Sequence, residues 1–254
     1  MRIGGFIDIS TKDIPHRATM VIFTVGCNYK CGYCHNKHLL NPDAGQDYSI
    51  TQIIKRVTSN RLVSGVSVTG GEPTLQKDII EACKELSQLD KYVSVDSNGS
   101  RPEVLKSLLP YLNRVALDVK GPYKSESLRE ITNANIDPAI LKKSFSLINR
   151  EKTIDFEIRT TYEPNLLQQE DIHEILDFLQ DKKFRGKFVL QQYQYNEGVQ
   201  EKFEDIYEKP PHYGLVKILE PYARKNLNFE IYLRDEAVGY EHINKSINKF
   251  EDLN

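Results

Sequence analysis

One recurrence restricts this chain more than any other property: six short β-branched runs, each followed by a polar turn and then a segment of helical period. The runs are ATMVIFTV (18–25), SGVSVT (64–69), KYVSVD (91–96), NRVALDVK (113–120), TIDFEIRTTY (153–162) and GKFVLQQYQY (186–195). Helical patterns follow at about Ser49–Asn60, LQKDIIEACKELSQL (75–89), Pro102–Leu109, Pro138–Asn149, Gln169–Gln180 and Tyr213–Arg224. Strands that are apolar throughout and alternate with helices are buried on both faces, which predicts an α/β fold with a parallel sheet and helices outside it. The crossovers are expected to be right-handed. Periodicity alone fits both an open doubly wound sheet and an incomplete barrel. The polar clusters GGEP, DSNG, DVK, RTT and QQY all fall at carboxyl ends of predicted strands, the rim where α/β folds gather their active sites. Any one of these clusters is what an ordinary turn needs; five together argue for a site along that rim.

At 254 residues the chain is long enough for one large domain, and no linker divides it. Residues 1–225 are expected to form the α/β domain, followed over 226–254 by an edge strand, NFEIYLR, and a polar tail that docks loosely after Glu236. Residues 196–212, ending in Pro-Pro, read as a long loop or short helix. The net charge of −2 and scattered basic residues argue against a nucleic-acid partner. No apolar run is long enough for a membrane span, and MRIGGFIDIS lacks the pattern of a signal peptide, so a cytoplasmic location is expected.

Three of the four cysteines, Cys27, Cys31 and Cys34, lie within eight residues, while Cys83 stands apart in a helical pattern and reads as a small buried hydrophobe. Such crowding points to a metal or cluster in a reducing compartment, not a disulfide framework. Structural zinc wants four ligands, usually as two separated pairs, and the second pair is absent; His35 and His38 are the only nearby substitutes. A Cys31/Cys34 redox couple would leave Cys27 unused. An iron–sulfur cluster suits the count better: four-iron clusters take four ligands, and three thiolates leave one iron open to a small molecule.

The spacing C-x3-C-x2-C with Tyr33 before the last cysteine, followed by GGEP at 70–73, resembles the radical S-adenosylmethionine (SAM) superfamily. The resemblance implies a partial (β/α)6 TIM-like barrel of parallel strands with an outer layer of helices. It also implies a [4Fe-4S] cluster on Cys27, Cys31 and Cys34, with S-adenosylmethionine chelating the open iron. In such enzymes one electron cleaves S-adenosylmethionine to methionine and a 5′-deoxyadenosyl radical, which abstracts hydrogen from the substrate. Gly70 and Gly71 would let the backbone approach the methionyl part, and Glu72 would accept a hydrogen bond from its amino group or buttress the turn. The backbone of Tyr33 would meet the adenine.

CGYCHN followed by Leu39 and Leu40, together with VDSNG, LDVK and EIRTT, is similar to the activating enzymes of glycyl radical enzymes. Within them, the nearest likeness is to the anaerobic ribonucleoside-triphosphate reductase activating proteins. The likeness runs from about Gly5 to Tyr193. It implies Asp96 and Ser97 near the methionyl carboxylate, Asp118 and Lys120 opposite, and Arg159 as a second carboxylate or substrate contact. It extends to a monovalent cation beside Asp96 and Asp118, a glycyl radical enzyme as protein substrate, and a reduced flavodoxin- or ferredoxin-like electron donor. Two departures stand out. The family's Asp-x-Pro-Gly is Asp13-Ile14-Pro15-His16 here, which is expected to alter that turn, and QQYQYNEG lacks the histidine of the pyruvate formate-lyase branch. With Cys83 alone left over, a second four-thiolate cluster is excluded, and a short chain without a lid domain leaves one side for an inserted loop. The alternative is a radical enzyme of the 7-carboxy-7-deazaguanine synthase type, which shares GGEP but normally has aspartate after the last cysteine, where this chain has His35.

Overall fold

A computed structural model of the chain describes residues 1–195 and 208–251. In chain order the elements are β1 (Arg2–Ser10), β2 (Thr19–Thr24), β3 (Gln46–Asp47), α1 (Ile50–Ser59), β4 (Gly65–Gly70), α2 (Ile79–Ser87), β5 (Tyr92–Ser97), α3 (Pro102–Leu108) and β6 (Arg114–Asp118). They continue with α4 (Ser125–Thr132), α5 (Pro138–Arg150), β7 (Asp155–Tyr162), α6 (Gln169–Asp181), β8 (Lys187–Gln192), α7 (His212–Ala223), β9 (Glu230–Asp235), β10 (Gly239–His242) and α8 (Ile243–Glu251). All six predicted strands and their helices are present, with boundaries shifted by a few residues.

Two compact units are interleaved along the chain. The first comprises Met1–Lys30, Asn36–Asp118 and Ala139–Phe156; the second comprises Cys31–His35, Val119–Pro138 and the described residues from Glu157 on. In the first, β2, β4, β5 and β6 run parallel in that order, and β1 extends the ladder antiparallel beside β2 with β3 on its far side. Val66, Val68, Val93, Val95 and Val115 are fully buried, as the apolar runs predicted, and α1 and α2 bury Ile53, Val57, Ile79 and Leu86. The start of α1 is set by Ser49, whose side chain accepts from the Gln52 N–H while Gln52 answers the Ser49 N–H, a reciprocal capping box.

In the second unit β7, β8 and β9 are parallel and β10 returns antiparallel on β9. Neither ladder closes on itself. Helices α6 and α7 bury Ile172, Leu176, Leu179, Leu215 and Leu219. NFEIYLR, expected at an edge, is an interior strand between β8 and β10. The segment after Glu236, expected as a loosely docked tail, instead forms β10 and α8. Ile243 and Ile247 are buried, and Ser246 and Lys249 both hydrogen-bond Glu241. Two apolar residues at i and i+4 are too few to announce a helix, yet enough to dock one on an existing sheet. The predicted loop over 196–212 lies outside the described residues as far as residue 207. No helix among the described residues is long and apolar enough to cross a membrane.

Candidate active site

The site is built where β2 and β4 end. Strand β2 stops at Thr24, and Gly26 opens the cysteine loop; its N–H donates to the Leu39 carbonyl at 2.7 Å, which closes the loop at its base. Strand β4 ends in GGEP, and this turn lies against that entry: Gly71 N–H donates to Thr24 O at 2.9 Å and Glu72 N–H to Gly26 O at 2.8 Å. The glycines are obligatory there. Gly70 has φ +120°, and a Cβ on it would stand 2.3 Å from Thr24 O; a Cβ on Gly71 would stand 2.1 Å from Gly26 O. The room left by the two missing side chains admits the chain's own backbone.

Glu72 is 1 % exposed and both carboxylate oxygens are engaged. Oε1 accepts from Thr74 N–H at 3.1 Å, from the Thr74 hydroxyl, and from Ser97 Oγ at 2.8 Å; Oε2 accepts from Asn98 N–H at 2.7 Å. Burial pushes its pKa up, and these donors oppose the rise without cancelling it. Of the two roles expected for Glu72, the structure shows the buttress, tying the β4 turn to the end of β5. Ser97, beyond donating to Glu72, accepts the Gly99 N–H at 3.1 Å.

Sequence reasoning missed Asn98, which is 6 % exposed. Its Nδ2 donates to Asn28 Oδ1 at 2.9 Å and lies 4.0 Å from Cys27 Sγ, which also accepts from Tyr29 N–H at 3.4 Å. The signal available was its place in DSNG, read there only as a turn. Also missed was Arg114, at the start of β6, the end opposite the polar clusters at the carboxyl ends of the predicted strands. Its Nη1 donates to Ser94 Oγ at 2.8 Å and to Asp96 Oδ1 at 3.4 Å, so Asp96 sits in a buried ion pair. Asp118 ends β6, half-buried.

In the second unit, Cys34 N–H donates to the Cys31 carbonyl at 3.2 Å in a tight turn; Cys31 and Tyr33 are buried and Cys34 half-buried. His35 lies 6.0 Å, centroid to centroid, from the Tyr193 ring. Its pKa is lowered, mainly by burial and in part by the positive Lys120; a hydrogen bond to the Gln194 backbone pulls the other way. Arg159 is buried, and its carbonyl accepts Val119 N–H at 2.9 Å. In the QQY cluster Gln192 donates to Pro210 O at 2.7 Å and accepts Glu236 N–H at 3.1 Å. In the Asp13–His16 turn His16 adopts φ +61°, with Arg17 N–H donating to Ile14 O. That is the left-handed conformation that glycine adopts without steric cost and a non-glycine residue rarely does.

Among the described residues, no three His, Cys, Asp or Glu side chains are gathered closely enough to hold a metal ion. What fits an iron–sulfur cluster is the chemistry of the donors, three cysteine sulfurs on one loop, with N–H donors already aimed at the sulfur of Cys27. An α/β scaffold of parallel strands, carrying a three-cysteine loop after one strand and a GGE turn after the next, defines a class. The chain belongs to the radical SAM superfamily, whose family model matches residues 21–181. Membership implies an iron–sulfur cluster and S-adenosylmethionine.

Within that class, the chain is 31% identical over 211 residues to a Methanocaldococcus jannaschii protein that carries the name glycyl-radical enzyme activating enzyme, covering 80% of this chain and 85% of the relative. It is 32% identical over 119 residues to the 7-carboxy-7-deazaguanine synthase of Methanospirillum hungatei, covering 46% of this chain and 47% of that one. Among solved structures it shares its fold with Streptococcus suis SuiB bound to S-adenosylmethionine (TM-score 0.65, 20% identity), covering 85% of this chain and 50% of SuiB. SuiB has also been solved with its precursor peptide SuiA.

Proposed function

We propose that this radical SAM enzyme activates a glycyl radical enzyme, of the kind represented by anaerobic ribonucleoside-triphosphate reductase. The observation that carries the reading is the similarity to the Methanocaldococcus jannaschii relative across most of both chains, whereas the similarity to the deazaguanine synthase covers less than half of each. Cys27, Cys31 and Cys34 would hold a [4Fe-4S] cluster. With S-adenosylmethionine, that cluster supplies a 5′-deoxyadenosyl radical, the oxidant for hydrogen abstraction.

The remaining work belongs to the chain. Glu72, Ser97 and Asn98 hold the β4 and β5 turns beside the entry to the cysteine loop, so the rim that would receive the methionyl group is tied together by the chain's own hydrogen bonds. Backbone groups of Gly70, Gly71 and Tyr33 are the proposed cofactor contacts, with Asp118, Lys120 and Arg159 as side-chain contacts. Ser97 and Asp96 support these contacts from within. A monovalent cation beside Asp96 is not part of the proposal, because Arg114 already supplies the positive charge there. The electron would come from a reduced flavodoxin- or ferredoxin-like protein, and the enzyme would work in the cytoplasm, where thiols stay reduced.

The test is anaerobic reconstitution followed by mixing with a candidate glycyl radical enzyme encoded beside this chain. About four irons per chain, reductive cleavage of S-adenosylmethionine and a glycyl radical doublet in the electron paramagnetic resonance spectrum of the partner are expected. Cleavage without radical on any partner, coupled to turnover of a deazapurine precursor, would move the assignment to the synthase type.

A further inference from the structure

We propose that Asn98 tunes the reduction potential of the cluster by donating a hydrogen bond from its carboxamide to the sulfur of Cys27, a role that rests on the radical SAM reading above. The orientation of the carboxamide is set by the backbone. Ser100 N–H, which can only donate, meets Asn98 Oδ1 at 3.0 Å. That identifies the oxygen and leaves Nδ2 on the other side, facing Asn28 Oδ1 at 2.9 Å and Cys27 Sγ at 4.0 Å. The two hydrogens of Nδ2 thus have two acceptors, one oxygen and one sulfur. The residue is fixed further by its own N–H, which donates to Glu72 Oε2 at 2.7 Å. A buried amide held at its backbone and at its side-chain oxygen has little freedom to turn its nitrogen away.

The chemical consequence follows from charge. Reducing an iron–sulfur cluster adds negative charge that spreads onto the thiolate sulfurs, and N–H donors to those sulfurs stabilise the reduced form more than the oxidised one. Cys27 Sγ accepts from the Tyr29 N–H at 3.4 Å and faces Asn98 Nδ2. The backbone donor is independent of side-chain identity. Asn98 is therefore a side chain through which this chain sets how readily the Cys27 corner accepts an electron. It acts through Cys27 and is a positioning residue. It also links the GGE turn to the cluster, since Glu72 holds the same Asn98 backbone that places the carboxamide.

The test compares wild type with Asn98→Asp and Asn98→Ala, each reconstituted anaerobically, by potentiometric titration of the cluster monitored by electron paramagnetic resonance, without S-adenosylmethionine. Asn98→Asp keeps an oxygen for the Ser100 N–H but replaces the donor with a negative acceptor. Asn98→Ala removes the donor together with the Oδ1 that accepts the Ser100 N–H. The expected result is unchanged iron content, a lower midpoint potential in Asn98→Ala and a lower one still in Asn98→Asp. An unchanged or raised midpoint in both variants overturns the assignment. So does loss of iron or of folded structure in both, which would make Asn98 a scaffold for the loop and not a tuner. Failure of the wild type to take up a cluster would instead overturn the underlying reading, so the two failures are distinct.

Discussion

Replacing Gly71 by alanine tests whether the GGE turn is shaped by the chain itself. The added Cβ would stand 2.1 Å from Gly26 O and 2.7 Å from Gly26 C, both backbone atoms, whereas real contacts do not fall below 3.0 Å. No side chain can swing aside to relieve this, so the turn must lift off the loop entry. That movement breaks the Glu72 N–H to Gly26 O bond of 2.8 Å and strains the 2.9 Å bond from Gly71 to Thr24 at the end of the β2–β4 ladder. Overpacking against a rigid neighbour costs about 1–3 kcal/mol and an unpaired buried amide about 1–3 more, offset by about 0.4–1 kcal/mol from the stiffer unfolded chain. The net is roughly 2–5 kcal/mol, or roughly 5–15 °C in Tm for a chain of this size. The control is Gly5→Ala, where a Cβ meets nothing within 4 Å; its unfolded-state term is the same, so the difference between the variants isolates the clash. Thermal unfolding of the metal-free proteins followed by circular dichroism supplies both values. A Gly71→Ala protein as stable as Gly5→Ala would refute the reasoning.

Glu72→Gln places an amide NH2 against a backbone N–H, that of Asn98 or of Thr74 depending on its rotation, and is expected to cost about 1–3 kcal/mol in urea unfolding. Because burial raises the Glu72 pKa above its ordinary 4.5, wild type has a stability contribution that is full below about pH 4.5 and lost as the pH rises through the folded value. The glutamine variant lacks it, so the gap between the two must narrow from acid to neutral pH; a widening gap would reverse the sign. His16→Gly relieves a left-handed histidine, which costs about 1–2 kcal/mol, at an unfolded-state loss of about 0.4–1, and should raise stability by roughly 0.5 kcal/mol in the same assay. Cys83 is fully buried with its thiol pushed up to about 12, so iodoacetamide at pH 8 should modify Cys27 and Cys34 in the folded, metal-free protein and reach Cys83 only after denaturation, as read by peptide mass mapping.

The six parallel strands were legible because each is a β-branched run whose burial on both faces leaves little room for polar residues. β1 was not, since RIGGFIDIS mixes two glycines with residues of which Ile3 alone is buried and leaves Ile7 and Ile9 more than 40 % exposed. α8 escaped because it borrows its stability from the sheet it docks on. In the site, the cysteines and the GGE turn announce themselves by spacing. Asn98 and Arg114 do not, because their importance lies in which atoms they meet across 71 or 18 residues of chain, and one-dimensional spacing carries no such information. The roles of Gly70 and Gly71 were legible only in kind: absence of a side chain was readable, but not the identity of the backbone it admits.

The contact between the GGE turn and Gly26 bears on how genetic data from this chain should be read. A glycine whose missing side chain makes room for the protein's own peptide group serves architecture first, whatever it later does for a ligand. Alleles at Gly70 or Gly71 recovered as loss of function should therefore be conditional, failing in warm cultures and recovering in cool ones, because the defect lies in the amount of folded protein. An allele that acted only on the cofactor would fail at every growth temperature alike.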